Sequence, residues 1–322
     1  IFKNELEPLV DELRVDVMGN VIGVKYGSPG YPKILLDAHM DEVGFIITHI
    51  DKNGFLRFQP LGGFDSRVLY AQRIVIKGKK GLIRGFIGAK APHLIKAEES
   101  KQIIPIEDLF IDIGASSEEE VRDMGIEEGS PATFDTKFVL VREKRALGKA
   151  FDDRAGLTVI LAVLNELKNT DFNIIAIGAV QEEVGLRGAR TAAWQVEPDL
   201  ALALEGTAAS DTPGTPEHKM STMLGKGPAI TIADRSVIAH PKVIKNLIDA
   251  AKEKGIPYQF KKMIVGGTDA GVIHLTRAGI PAGVVSVPVR YIHGPVGILD
   301  IEDLKNTINL VVSFIELMSK KE

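Results

Sequence analysis

Lys33-Ile-Leu-Leu-Asp-Ala38, followed at once by His39-Met-Asp41-Glu42, is the stretch that decides the fold. Its short apolar run, stopped by polar residues, reads as a buried β-strand. The texture then changes. From about Val43 to about Val141 the chain reads as short β segments: Gly44-Phe-Ile-Ile-Thr-His49, Gly54-Phe-Leu-Arg-Phe58, Gln72-Arg-Ile-Val-Ile-Lys77 and Gly81-Leu-Ile-Arg-Gly-Phe-Ile87. Joints such as Asp51-Lys-Asn-Gly54 and Gly78-Lys-Lys-Gly81 punctuate them. Alternation with frequent turns predicts a small barrel or sandwich. One helix interrupts it, announced by the capping pattern Ser117-Glu-Glu-Glu120.

From about Gly148 strands and helices alternate. The pattern predicts helices over Asp153–Leu167, Leu186–Trp194, Pro241–Lys254, Asp269–Ala278 and Ile301–Met318. It predicts strands over Asn173–Val180, Asp199–Leu204 and Gly283–Arg290. Such alternation implies an α/β domain with a mostly parallel sheet and helices on both faces. The strand ending at Ala38 has no partner of its kind nearby in sequence. The economical arrangement is one α/β domain, residues 1–42 and 143–322, interrupted by an inserted small β-barrel or sandwich domain, residues 43–142.

Composition narrows the function. The chain has 322 residues, 39 Lys and Arg against 43 Asp and Glu, and a net charge of −4. A nucleic-acid binder should show a basic excess, so no nucleic-acid partner is expected. The longest apolar stretch, Leu157 to Leu164 broken by Thr158, is far short of the roughly 20 residues that span a bilayer. No apolar signal core opens the chain, and a cytoplasmic protein is expected. Cysteine is absent, which excludes disulfides, thiol catalysis and thiolate metal sites. A metal here would be held by His, Asp and Glu.

The chemistry collects at strand ends. The first strand ends in His39-Met-Asp41, Asp152-Asp153 precede a helix, Glu182-Glu183 follow the strand at Asn173, Glu205 ends another strand, and His293 follows the last. Ligands of open α/β sheets sit beyond the carboxyl ends of the strands. Hard carboxylates with imidazoles and no thiolates suit a Zn, Co or Mn pair. Singly, each residue has a bland alternative. A His after a strand is usually a satisfied surface residue, Asp153 reads as a helix cap, and Glu182 with Glu183 as a solvated pair. Together, at matching strand ends, they are hard to dismiss. His49, His93 and His218 read as bland, His240 as a helix entry, His274 as a helix residue, and Thr268-Asp269 as a cap. Met220, Met223 and Trp194 read as packing.

His39-Met-Asp41-Glu-Val-Gly44, Phe151-Asp-Asp-Arg-Ala-Gly156, Gln181-Glu-Glu-Val-Gly-Leu-Arg-Gly188, Gly266-Gly-Thr-Asp-Ala270 and Pro288-Val-Arg-Tyr-Ile-His293 occur in this order. The set resembles the tetrahedral dinuclear metallo-aminopeptidases, a family that includes glutamyl and deblocking aminopeptidases and some proteins labelled endoglucanase. The resemblance covers nearly the whole chain, the insert included. It implies two divalent metal ions per subunit, Zn or Co, with Asp152 bridging them. Glu183 and His293 would complete one metal site, His39 and Glu205 the other. Glu182 would be the general base, and Asp41 would orient His39 through its second ring nitrogen. A cis peptide between Asp152 and Asp153 is implied as well.

The same resemblance implies removal of the N-terminal residue from short peptides. It also implies that the insert mediates dimers which assemble into a hollow tetrahedral dodecamer. Many relatives have Asp where Glu205 stands, and often Ser where Gly294 stands. Two rival functions are a β-glycanase, which needs two carboxylates and no metal, and an inactive assembly protein, which has no use for Glu182.

Overall fold

Helix α1 (Phe2–Leu6) and strands β1 (Glu12–Val15), β2 (Val21–Lys25) and β3 (Lys33–His39) open the computed structural model, which describes residues 1–94 and 102–320. Next come β4 (Gly44–Ile50), β5 (Leu56–Leu61), β6 (Arg73–Gly78), β7 (Gly81–Gly88), β8 (Phe110–Asp112), α2 (Glu118–Asp123) and β9 (Pro131–Phe134). The chain continues through β10 (Val139–Val141), β11 (Arg145–Gly148), α3 (Phe151–Glu166), β12 (Asn173–Ala179), α4 (Arg187–Val196) and β13 (Leu200–Ala208). It closes with β14 (Ala229–Thr231), α5 (Pro241–Lys254), β15 (Gln259–Lys261), α6 (Ala270–Ile273), β16 (Ala282–Arg290), β17 (Gly297–Asp300) and α7 (Ile301–Ser319). Contacts divide the described residues into two units. One takes in Ile1–Asp41, Leu140–Ile292 and the residues from Gly297 on; the other takes in Glu42–Val139 and His293–Val296.

The first unit is an 11-stranded mixed sheet ordered β1-β2-β12-β3-β13-β16-β17-β11-β10, with β14 and β15 branching from β16. Its centre, β12-β3-β13-β16, is parallel, and the flanks are antiparallel. Buried on both faces, the central strands are almost continuously apolar, as parallel strands must be. Leu36, Ile174, Leu204 and Val287 pack with α3, α5 and α7 on one side. Leu35, Ile177 and Val284 pack with α4 and α6 on the other. Burying each such side chain is worth about 1.5–3 kcal/mol.

Local signals explain the helix ends. Pro241 starts α5 and Gly255, at φ 64°, stops it. The Asp300 carboxylate caps α7 by accepting the Glu302 N–H at 2.8 Å. Two expectations need correcting. The Asp269–Ala278 helix is only Ala270–Ile273; past His274 the chain passes into tighter turns, the Thr276 N–H donating to the Ile273 carbonyl and the Gly279 N–H to that of Thr276. Trp194 is no core residue. The inner face of α4 is Ala189, Ala192, Ala193 and Val196, which leaves the indole 56% exposed with the Arg277 guanidinium 4.3 Å above it.

The second unit is a closed six-stranded barrel, β4-β5-β8-β7-β6-β9, with β9 pairing back onto β4. Strict alternation along β4 would send Phe45, Ile47 and His49 inward. A register shift between Ile47 and His49 turns His49 out and Ile50 in. Phe45 stacks on Phe64 at 4.8 Å and meets Phe58 and Phe134 edge-on at 5.1 and 5.4 Å. Such pairs add about 0.5–1.5 kcal/mol each beyond burial. Ser117 caps α2 by accepting the Glu120 N–H, while the Glu120 carboxylate reaches the Ser116 N–H rather than that of Ser117.

Candidate active site

Strand register builds the site in the first unit. His39 stands opposite Ala179 of β12, and Asp37 opposite Ala203 of β13. One pleat beyond that last rung, β3 and β13 reach His39 and Glu205, and the two-residue period keeps each on the face of its predecessor. His39 Nε2 lies 3.6 Å from Glu205 Oε2. Both residues are deeply buried, at 1% and 4% exposure.

Asp152 arrives from the irregular start of α3. Its peptide bond to Asp153 is cis, and neither residue has helical dihedral angles. Asp152 Oδ1 lies 3.2 Å from His39 Nε2. Asp153 points inward, accepting the His39 N–H at 3.2 Å and the Gly156 N–H at 2.8 Å. It therefore caps the regular part of α3 while pinning the end of β3.

The turn after β12 carries Glu182 and Glu183. Glu182 Oε2 is 3.9 Å from His39 Nε2. The Asp41 carboxylate accepts the backbone N–H groups of both glutamates. His39 Nδ1 is 3.1 Å from the Asp41 carbonyl oxygen and 3.7 Å from its carboxylate, so the main chain of Asp41 is the nearer partner of the ring. Backbone strain gathers here too. Ala150, two residues before Asp152, Gln181, just before Glu182, and Leu186 all have φ between 56° and 58°. Non-glycine residues held in that region cost about 1–3 kcal/mol each and persist where the surroundings over-determine them. Tyr291 and His293 are left-handed as well, at 61° and 59°. By its contacts His293 groups with the barrel unit, where Nδ1 stands 3.1 Å from the Gly63 carbonyl oxygen.

Two carboxyls here escaped the sequence reading. Asp37 is the lone charge inside an apolar strand, which was a usable signal because buried charge is expensive. Asp269, expected as a cap, forms no side-chain cap bond. Its carboxyl faces that of Asp37, and no N–H donor among the described residues reaches either. Burial lifts Asp37 to about 7, and burial with the neighbouring Asp37 carboxyl pushes Asp269 well above the usual range.

The electrostatics are those of crowded, desolvated acids. Burial raises Glu182 to about 9, and Glu205 and Asp153 rise well above normal for the same reason, with neighbouring carboxylates adding to it. Burial opposes charge on His39, but the Asp152 and Asp41 carboxylates outweigh it and lift its pKa well above 6.5. Without a cation these acids must take up protons. With one they need not, and that is the test of fit. The donor atoms of His39, Asp152 and Glu205, and those of His39, Glu182 and Glu183, each lie within 4.8 Å of one another. One imidazole among hard carboxylates suits Zn, Co or Mn.

An imidazole ringed by carboxylates, at the carboxyl edge of the parallel centre of a mixed sheet, defines a candidate metal-dependent hydrolase. The family model for M42 glutamyl aminopeptidase matches residues 19–310, and the chain belongs to that family. It is 43% identical over 311 residues to a putative aminopeptidase of Acetivibrio thermocellus, covering 97% of this chain and 90% of that one. Among solved structures it is similar to an aminopeptidase of Desulfurococcus kamchatkensis, with 45% identity, TM-score 0.94, and 98% and 88% of the two chains covered. It is also similar to the Pyrococcus horikoshii TET1 peptidase, with 34% identity, TM-score 0.85, and 96% and 90% covered. That peptidase is described as assembling into a tetrahedron or a large octahedral shell.

Proposed function

We propose that the protein is a dinuclear metallo-aminopeptidase that removes the N-terminal residue from short peptides. The observation that carries this is the His39 ring, with Asp152 Oδ1 at 3.2 Å and Glu205 Oε2 at 3.6 Å from the same nitrogen. Two divalent ions, Zn or Co, would be held by His39 with Glu205 and by Glu183 with His293, and Asp152 would be shared between them. Bound metals of this kind supply Lewis acidity that lowers the pKa of water and polarises a scissile carbonyl.

The chain's own part is positioning and proton transfer. Glu182, in this reading not a ligand, takes a proton from the attacking water and delivers it to the leaving amine nitrogen. Its backbone is fixed by the Asp41 carboxylate, and the Asp41 carbonyl turns the His39 ring so that Nε2 faces the cluster. The buried carboxylates of the cluster favour a cationic group, which suits capture of a free α-amine and confines cleavage to the first residue. A glycanase would need two carboxylates and has no use for an imidazole in the cluster.

No described helix is long and apolar enough to cross a membrane, and a cysteine-free chain is compatible with the cytoplasm. Family likeness supports assembly of dimers into a tetrahedral dodecamer. The direct test is turnover of a chromogenic aminoacyl substrate with and without chelator. Hydrolysis that needs Zn or Co supports the proposal, and equal rates in stripped and loaded protein would overturn it.

A further inference from the structure

The stretch Gly266-Gly267-Thr268-Asp269 lies against Glu205 from behind. The Asp269 N–H donates to Glu205 Oε1 at 3.3 Å, which leaves Oε2 directed to His39 Nε2 at 3.6 Å. A glutamate has one more side-chain torsion than an aspartate, so its outer oxygen keeps one direction only if the inner oxygen is held. The Asp269 amide supplies that hold, and a second layer of hydrogen bonds fixes the amide.

Thr268 Oγ1 donates to Asp234 Oδ2 at 3.0 Å, and the Thr268 N–H donates to Ser236 Oγ at 3.0 Å. Asp234 Oδ1 accepts the Ser236 hydroxyl at 2.8 Å and the Ser236 and Val237 N–H groups at 2.6 and 2.9 Å. Asp234 and Thr268 are both buried. The Arg235 N–H adds a bond to the Gly266 carbonyl at 2.9 Å. The two segments meet so closely that a Cβ on Gly271 would lie 2.3 Å from Ser236 Cβ. Thr268, Asp234 and Ser236 meet Glu205 through the Asp269 amide, so they act through another group.

We propose that Thr268, Asp234 and Ser236 are positioning residues that hold the Asp269 amide on Glu205 and so aim Glu205 Oε2 at the metal subsite it shares with His39. This rests on the metal-dependent reading given above. Hydrogen-bonded outer partners of a metal ligand are typically worth about 10–100-fold in metal affinity.

The test is cobalt titration of the metal-stripped full chain, followed by visible absorption and calorimetry. Thr268→Val keeps the shape and removes the hydroxyl. It should weaken one of two cobalt ions by about 10–100-fold and leave the other unchanged. Thr268→Ser, which keeps the hydroxyl, should restore wild-type binding. Ser236→Ala keeps the Cβ packed on Gly271 and should weaken the same step, so it carries the test if Thr268→Val does not fold. Wild-type affinity for both ions in Thr268→Val and Ser236→Ala would overturn the proposal. So would Thr268→Ser binding as weakly as Thr268→Val. An unmodified chain that takes up no cobalt would sink the metal reading itself, and this inference with it.

Discussion

The Asp41 carboxylate accepts the Glu182 backbone N–H at 3.0 Å, so a residue two positions past β3 sets the shape of the turn after β12. Its other oxygen accepts the Glu183 N–H at 3.1 Å, and Gln181 just before them is left-handed at φ 58°. A single side chain thus holds a strained turn in which two acids sit side by side with different proposed tasks. Asp41→Ala should release it. Metal affinity and kcat should each fall by about 10–100-fold, measured by metal analysis and steady-state kinetics. Unchanged values would show that the turn holds its own shape.

Glu182 and Glu183 are separable by substitution. Glu182→Gln keeps size and hydrogen bonding but removes the base, so kcat should drop by about 10²–10⁴ with both metals retained. Glu183→Gln should instead lower occupancy of one metal site. Equal metal loss in the two variants would mean that the assigned roles are wrong.

Removing metal should leave a pH signature as well as abolish activity. Burial holds Glu182 at about 9 rather than 4.5 and Asp37 at about 7, and it raises Glu205, Asp153 and Asp269 too. A folded chain that keeps protons which the unfolded chain has released is favoured at low pH. His39, raised as well, contributes in the same sense: its stabilisation is full below 6.5 and is lost above its folded value. Asp41 and Asp211 are held low, so their contribution disappears only on acidification through and below 3.8. The melting temperature of stripped protein should therefore fall as pH rises from about 5 to about 9, and added Zn or Co should flatten that slope. The apolar core does not depend on the ions, so circular dichroism at pH 6 should change little on chelation.

The meeting of α3 and β13 leaves no room at Gly156. A Cβ there would lie 2.2 Å from the Leu204 carbonyl oxygen and 2.5 Å from Asp153 Oδ2. Gly156→Ala must push the helix off the strand that carries Glu205. A destabilisation of about 1–3 kcal/mol or more is expected, read by denaturant unfolding, together with weaker metal binding. A variant as stable as the parent would show that the helix shifts freely.

Much of this was legible because apolar strands that stop abruptly at acids and histidines leave a plain trace. Ile174 to Val180 followed by Glu182 is such a case, and so is Leu35 to Ala38 followed by His39. The parallel centre and the helices on both faces came from that pattern. β1 left no such trace, because an edge strand needs only one apolar face and β1 carries Glu12 and Arg14; β2, buried on both faces through Val21 and Ile22, stops at no acid or histidine. The closed barrel, rather than a sandwich, depends on the β9–β4 pairing, which joins residues far apart in sequence. Asp269 looked like a cap because local signals place it there; its carboxyl turns to Asp37 for reasons of tertiary packing alone. Trp194 misled because large apolar residues are usually buried, while α4 already had an alanine face to pack.

The last prediction concerns assembly. Residues 43–142 include none of the proposed metal ligands, yet they form a complete barrel with its own core. Within its own unit the barrel meets His293 at Gly63, which uses little of a domain that size, and its surface offers a further use: Leu82 and Phe86 on β7 are 68% and 43% exposed. Four residues apart, the two share one face of β7, and apolar surface exposed on a stable domain is a candidate interaction site. Closed symmetric assemblies are the common outcome for a surface that recognises its own copy. Sedimentation of the full chain should therefore show a dodecamer, or stable dimers as its building block. Replacing Leu82 and Phe86 by lysine should shift the population to smaller species while metal binding persists, because neither residue belongs to the His39 cluster. A full-length protein that sediments as a monomer at micromolar concentration, and is fully active, would remove the assembly claim and leave the chemistry standing.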